Sequence, residues 1–507
     1  MATLSPQEFP LRFGSPAQFG QIESALGSAG FDEANLGRFF GIASLAELDS
    51  ANRDNLRFET VTGDLAFYIR VFLLGKLAPR GETERALAPE IRKTLMDLDM
   101  IRIGPSSGET YYAPIFLYPV AGLLIASDRR NTPDDSPFAP PSDVVFPAIF
   151  AGTLRFLRLI DKSPAEEVLD LCAGSGVGAL VLSRHTRRAV ASDITARATH
   201  FARFNCLLNR CYNVETVQGD LYAGVPDRTF DRITAHPPYV PSLGDGVIFR
   251  DGGESGEVVV QHIVEGLPQH LRPGGTGYVL CLGLDTKDGP FEQRARAWLG
   301  DQQADFDILF GFGNAKTPPE AVADMRKRAK GMASLEYDRM EGVFARLGAV
   351  HLVYGVLVIQ RHSIPGRPTW TARLKLSTET EGADFKHLLS WHRQQETPGF
   401  LAALSQAKPR LAPTLQVNAT LLVQEGALVP AEFVFETNKP FTAAMRFDPW
   451  IVPLITQLEG ARTVGEIYAQ ARTEGLVPQD FGVNDFSKLV ALLIERGYLV
   501  WAGPEVA

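Results

Sequence analysis

Between residues 167 and 360, short apolar runs alternate with longer stretches whose apolar residues recur every three or four positions. The runs 167–172, 189–193, 214–218, 230–235, 277–283 and 351–360 predict strands, and 175–185, 195–209, 255–271 and 289–299 predict helices. Strands alternating with helices predict a mostly parallel sheet covered on both faces, an α/β fold of the Rossmann-like kind. Gly274-Gly275, after Leu271-Arg272-Pro273, reads as a tight turn before the fifth strand.

The pattern differs on either side of this core. Phe58 to Leu77 has helical spacing and ends near Pro79, and Leu87, Ile91, Leu95 and Leu98 share one helical face. Ile101–Ile103 and Tyr111–Leu117 then flank a Gly-Pro-Ser-Ser-Gly turn. Helices followed by a two-stranded wing predict a winged-helix-like module over residues 1–130. Residues 131–142, rich in Pro, Asp and Ser, read as a linker or surface loop that opens a central domain running to residue 362. A Pro- and Thr-containing connector spans 363–380. Residues 380–507 form a further unit of ordinary domain size. In it, Asp448-Pro449-Trp450 opens a helix through Leu458, Thr463 caps a second, and Phe486–Arg496 forms a third before Tyr498-Leu499-Val500. This order also reads as winged-helix-like.

Composition narrows the function classes. A chain of 507 residues with 45% hydrophobic and 21% charged content is that of a soluble, multidomain globular protein. A net charge of -9 argues against nonspecific nucleic-acid binding, although a local basic patch is compatible with it. The basic run Arg326, Lys327, Arg328 and Lys330 reads as a solvated helix face before it reads as a phosphate site. The charges of the 86–100 helix (Glu90, Arg92, Lys93, Asp97) are mixed, favouring a structural or substrate-positioning role for the first module over DNA binding. Cys172, Cys206, Cys211 and Cys281 have no metal-ligand spacing and read as reduced thiols, so no metal is expected. No apolar run reaches the ~20 residues of a membrane span, and no signal peptide is evident, so a cytoplasmic location is expected.

The candidate chemistry lies around Glu167–Leu180. A short buried strand (Val168, Leu169, Leu171) breaks into Gly174, Gly176 and Gly178 and then runs into a helix. Such a turn lets a ligand approach the backbone, although similar turns also bind dinucleotides. Asp193 closes the next apolar run, where a ribose-binding acid belongs. His236-Pro237-Pro238-Tyr239 follows the strand 230–235.

The set Asp170–Gly178, Asp193, Asp220 and His236–Tyr239 resembles class I S-adenosylmethionine (SAM)-dependent methyltransferases. It is most similar to the branch with an Asn-Pro-Pro-Tyr-type motif, which includes the glutamine methyltransferases of release factors and the guanine-N2 methyltransferases of ribosomal RNA. The resemblance covers about residues 130–362, and the Leu-x-Pro-Gly-Gly pattern before the fifth strand is part of it. It implies SAM as the cofactor, held by Asp170, Cys172, Ala173, Gly174, Gly176, Asp193, Ile194, Gly219, Asp220, Leu221 and His236. Within that set, Asp170 would orient the amino-acid end, directly or through water. Asp193 would accept from the ribose hydroxyls, and Asp220 would face the adenine amino group; Asp220 also reads as a helix cap. Cys172 stands where the family's first glycine usually does and reads as packing rather than as a reactive thiol.

His236, Pro237, Pro238 and Tyr239 would form the catalytic motif. In the resembling branch the first position is usually Asn, Asp or Ser, which accepts a hydrogen bond from an amide or amino group and turns the nitrogen lone pair toward the methyl. A neutral His236 can accept one such bond, or act as a base; it also reads as a buried, hydrogen-bonded histidine. Tyr239, with Phe249 and Arg250 of the glycine-rich loop 240–257, would contact substrate, Arg250 meeting a carboxylate or phosphate unless it pairs with Asp251 or Glu254. The resemblance favours methyl transfer to a nitrogen of a protein side chain or RNA base. The acidic chain and His236 leave open a small-molecule N- or O-acceptor, and the flanking modules leave open a SAM-sensing, nucleic-acid-binding regulator.

Overall fold

The structure is a computed structural model that describes residues 9–49, 63–104, 108–134, 136, 138–242, 248, 251–328 and 334–501, with the side chains of 49, 328 and 334–336 excepted. The chain divides into two compact units, one of residues 1–157, 162–308 and 315–371 and one of 158–161, 309–314 and 372–507.

In the first unit, Pro16–Ser28 (α1) starts at a capping box made by Ser15 and Gln18 and buries Phe19, Ile22 and Leu26 at helical spacing. Glu33–Phe40 (α2) is capped by Asp32 and ends at Gly41, whose positive φ of 66° closes the helix. Gly63–Tyr68 (α3) passes into a π-helical turn at Ile69–Leu73, so the expected 58–77 helix is shorter; its first residues lie outside the described ones. A short strand, Ala78–Pro79 (β1), leads into Arg80–Ala86 (α4) and Pro89–Asp97 (α5). Arg102–Ile103 (β2) and Thr110–Tyr112 (β3) complete a three-stranded sheet of order β1-β3-β2. The apolar run 111–117 is not one strand. Ala113-Pro114 separates β3 from Ile115–Val120 (β4), which pairs instead with Leu123–Asp128 (β5).

Ala151–Leu159 (α6) precedes the strand–helix core. The core runs Ala165–Leu171 (β6), Val177–Ser183 (α7), Thr186–Asp193 (β7), Ala196–Leu208 (α8), Val214–Gln218 (β8) and Phe230–Ala235 (β9). It continues through Val258–His270 (α9), Leu271–Thr286 (β10) and Phe291–Ala297 (α10). The strand Phe306–Lys316 (β11) was not expected, although its buried Phe306, Ile308, Leu309 and Phe310 form a short apolar run. Pro318–Arg328 (α11), Ser334–Arg346 (α12) and the strand Ala349–Arg361 (β12) follow.

β6, β7, β8, β9 and β10 pair in parallel, and β12 closes antiparallel on β10. The expected Gly274-Gly275 turn lies inside β10 as a bulge: the register steps from Leu271↔Phe230 to Thr276↔Arg232, and Gly274 takes a φ of 80°. The basic run has the solvated character anticipated for it where it is described, with Arg326 on Asp338 at 3.0 Å and Lys327 near Asp324 at 3.9 Å, all partly exposed. No helix among the described residues is long and apolar enough to cross a membrane.

The second unit contains more strand than the sequence suggests. The connector carries Thr371–Leu376 (β13), followed by Gly382–Gln395 (α13), Phe400–Ser405 (α14) and Arg410–Leu411 (β14). Gln416–Gln424 (β15), Ala427–Thr437 (β16) and Phe441–Phe447 (β17) form an antiparallel meander, and β17 pairs with β13. Val452–Thr456 (α15), Val464–Thr473 (α16, with the expected Thr463 cap), Val483–Glu495 (α17) and Leu499–Val500 (β18) complete the chain. Their core gathers Trp391, Leu404, Phe435, Leu454, Ile467, Phe486 and Tyr498. Trp391 donates its indole N–H to Ala491 O at 3.2 Å.

Candidate functional site

Four parallel strands stop at one level. Leu171 is level with Ser192 on one side and with Ala235 on the other, and Asp193 is level with Gln218. The residues at or just past the strand ends, Cys172, Asp193, Gly219–Asp220 and His236, therefore stand in a row along the carboxyl edge of the sheet. With strands about 4.8 Å apart, the row from His236 to Asp220 is about 14 Å long. The carboxyl edge of such a sheet is where α/β folds bind ligands.

The glycine turn is held from below by Asp170. Its carboxylate is only 5% exposed and accepts the Ala179 N–H at 2.9 Å and the Thr234 hydroxyl at 2.8 Å. A Cβ on Gly178 would lie 2.5 Å from Asp170 Oδ2, so glycine there is a packing requirement. Burial, opposed by those hydrogen bonds, raises the Asp170 carboxyl from 3.8 to about 6. Asp170 thus works first on the turn itself, and both its oxygens are engaged within the protein. Gly174 is different: its φ is 54° and a Cβ would meet nothing within 4 Å, leaving open space over the backbone.

The Asp193 carboxylate ties the turn to the next strand. It accepts the Gly174 N–H at 2.9 Å and the Thr195 N–H at 3.0 Å, and burial raises its pKa. Ile194 beside it is 50% exposed, an apolar side chain at the crevice edge. Gly219 donates its N–H to Asp193 O at 2.9 Å, and Leu221 takes a positive φ of 47°. Asp220 occupies the cap position of the short 3-10 helix Leu221–Gly224 but makes no side-chain cap hydrogen bond, and it is exposed. Cys172, also at positive φ, sits among Asp193, Asp170 and Asp220. Burial and those charges hold its thiol well above the usual range, so it is not a thiolate nucleophile. Ala173 is buried, with its N–H on Ser192 O at 3.1 Å.

His236 is partly buried, and burial pushes its pKa down to about 4. Among the described residues no hydrogen bond involves its ring, so the reading of a satisfied, hydrogen-bonded histidine has no support there. Its ring lies parallel to Tyr239, 5.8 Å between centroids, and Phe156 of α6 meets it edge-on at 5.7 Å. Tyr239 contacts Tyr354 of β12 at 5.6 Å. Pro237 is buried, and Pro238 is partly so. Phe156 and Tyr354 were missed in the sequence because neither carries a motif and both come from distant elements.

The loop beyond Tyr239 is packed against it. A Cβ on Gly256 would lie 2.6 Å from Tyr239 O, and one on Gly252 2.9 Å from Tyr239 Cα. Val240 bridges to Asp251, and Ser242 N–H donates to Gly253 O at 3.0 Å. These glycines allow close approach, where the sequence suggested only adaptability. Phe249 and Arg250 lie outside the described residues. Glu254, one possible partner for Arg250, pairs with Arg346 at 2.6 Å. No group of three or more His, Cys, Asp or Glu that could hold a metal occurs among the described residues.

Residues 148–282 match the family model described as the methyltransferase small domain. The ribosomal protein uL3 glutamine methyltransferase of Bradyrhizobium diazoefficiens is 32% identical over 176 residues, covering 32% of this chain and 55% of that protein. The release factor glutamine methyltransferase of Koribacter versatilis is 30% identical over 156 residues, covering 28% and 55%. A putative protein N5-glutamine methyltransferase of Methanocaldococcus jannaschii is 29% identical over 126 residues, covering 24% and 63%. The chain thus spans about half the length of the curated relatives it matches. The segment that builds most of the crevice matches the methyltransferase small domain and has the class I fold, in a chain similar to the protein glutamine methyltransferases.

Proposed function

We propose that the chain is a SAM-dependent methyltransferase acting on a nitrogen of a protein side chain, with a glutamine-type amide as the acceptor group. The observation that carries this reading is the row of strand ends: an open glycine turn after β6, the carboxylates of Asp193 and Asp220 to one side of it, and to the other an imidazole that makes no hydrogen bond among the described residues, beside two prolines. The residues suit SAM: the bare backbone at Gly174 leaves room for its amino-acid part. Asp193, which accepts from the Gly174 N–H on Oδ2 and from the Thr195 N–H and hydroxyl on Oδ1, keeps a lone pair on Oδ2 for a ribose hydroxyl. Ile194 offers an apolar contact for adenine, and the Asp220 carboxylate is free of a capping role. When bound, SAM supplies a methyl already activated by a sulfonium.

The protein's work is then alignment. A neutral His236 accepts one N–H of the acceptor amide, and a carbonyl of the proline segment is suited to the other. Tyr239 and Phe156 wall the planar group, and Tyr354 holds Tyr239. The proton that the nitrogen loses passes to solvent water rather than to His236, whose lowered pKa makes it a poor base. The proposal includes the division into modules 1–130, 131–362 and 380–507. The first as a winged-helix-like substrate-positioning element is supported by its three-stranded sheet beside α4 and α5. The last is proposed as an accessory module of the same kind, its α16, α17 and β18 being the supporting part.

Incubation with methyl-labelled SAM and fractionated lysate tests the acceptor class: label is expected in protein. Label in RNA or small metabolites alone overturns that part. His236→Ala is expected to lower turnover by about 10²-fold or more, on the scale of losing one oriented hydrogen bond at a reacting centre. His236→Asn, which restores an acceptor, is expected to recover much of it, with SAM affinity near wild type in both. Equal loss in the two variants would sink the acceptor role.

A further inference from the structure

We propose that this protein forms a homodimer by pairing β15 antiparallel with β15 of a second copy. Among the described residues β15 pairs with β16 alone, so its outer edge carries unpaired N–H and C=O groups along nine residues, a length of about 30 Å. All nine side chains are exposed, including Leu421, Leu422 and Val423, the last 75% exposed, with Leu428 of β16 beside it at 67%. Free sheet edges are normally blunted by a charge, a proline or a bulge. Gln416–Gln424 contains no charge and no proline. The hairpin's one irregularity adds its extra residue to β16, where Thr420↔Glu432 steps to Leu421↔Pro430, so β15 keeps its alternation throughout.

The occupant is indicated by the strand's own sequence, Gln-Val-Asn-Ala-Thr-Leu-Leu-Val-Gln. Turned about Thr420, it sets Gln416 against Gln424, Val417 against Val423, Asn418 against Leu422, Ala419 against Leu421, and Thr420 against itself. A two-fold interface requires this self-complementarity, and like β-branched pairs are favourable cross-strand neighbours. Val417, Ala419, Leu421 and Val423 share one face, so pairing unites two apolar rows, small against large. Charge points the same way. Two chains of net charge -9 repel where acids meet, and this strand brings none. Of the acids on β16, Glu432 lies near Arg446 at 3.5 Å and Glu436 accepts from Asn418 Nδ2 at 3.0 Å. Glu425, at the turn just past Gln424, stands about 17 Å along the strand from Thr420.

Sedimentation equilibrium of the full chain over a wide concentration range is expected to rise from 55.4 kDa toward twice that mass. Thr420→Lys sets two ammonium groups face to face and is expected to abolish the dimer, as is Thr420→Glu; mixing the two variants restores it. Thr420→Cys is expected to form a disulfide dimer under mild oxidation. Gln416→Cys does so only when mixed with Gln424→Cys, which fixes the register. Thr420 is exposed, and unchanged circular dichroism and thermal midpoint in each variant exclude misfolding as the cause. A monomer at every concentration overturns the proposal, as does a dimer that survives Thr420→Lys and Thr420→Glu separately. Binding of the wild type to phosphatidylcholine vesicles without self-association would assign the strand to a lipid surface instead.

Discussion

His236 separates this chain from the Asn-type motif it resembles, and its protonation state decides what it can do. Burial lowers its pKa from 6.5 to about 4, so the ring is neutral at any physiological pH and can accept but hardly store a proton. kcat/KM should therefore show no limb near pH 6.5 attributable to this residue. Any limb near pH 6 should persist in His236→Asn, because Asp170, raised to about 6 beneath the glycine turn, titrates there. A limb near 6.5 that vanishes in His236→Asn would contradict the neutral-acceptor role. Stability is a poorer readout, because two groups oppose each other. A folded pKa below the unfolded one means that His236 contributes stability above about 6.5 that is lost as pH falls toward 4. Asp170, raised from 3.8 to about 6, has the opposite sense: its burial costs stability as pH rises through that interval. The shifts are of similar size, so their effects on the unfolding midpoint largely cancel.

At the scale of elements, the core was legible because each strand end carries its own marker. Asp170, Gly174, Asp193 and His236 are local in sequence to the strands that place them, and periodicity located β6 to β10 to within a few residues, apart from the bulged start of β10. What escaped was non-local or unpatterned. Tyr354 lies in an anticipated strand, but only the antiparallel return of β12 brings it to Tyr239. The meander β15–β17 escaped because β15 is exposed on both faces and lacks the apolar–polar contrast by which strands are recognised. The loop after β9 was legible as glycine-rich but not as packed. That difference makes a prediction. At Gly256, with φ of 82° and Tyr239 O only 2.6 Å from a Cβ, alanine must displace the Tyr239 carbonyl. Gly256→Ala is expected to lower kcat about tenfold or more, on the scale of a misplaced reacting group, while SAM affinity stays near wild type. Unchanged kcat would show that the Tyr239 backbone does not orient the substrate.

For the whole molecule, the relevant quantity is a net charge of -9 on a chain proposed to methylate a protein. The named relatives act on a ribosomal protein and a release factor by their descriptions, and proteins that bind RNA are generally basic. An acidic enzyme meeting a basic protein gains long-range attraction that salt removes, because the screening length falls from about 10 Å at 0.1 M to about 3 Å at 1 M ionic strength. KM for such a substrate should therefore rise steeply with salt while kcat, set by alignment in the crevice, changes little. A short uncharged glutamine peptide offers the control: its KM should be far less salt-dependent, since it lacks the charge that is steered. If KM for the protein substrate is flat between low and high salt, attraction between whole molecules contributes nothing to recognition. Selectivity would then reside within the crevice, in the contacts of Tyr239, Phe156 and the residues around them.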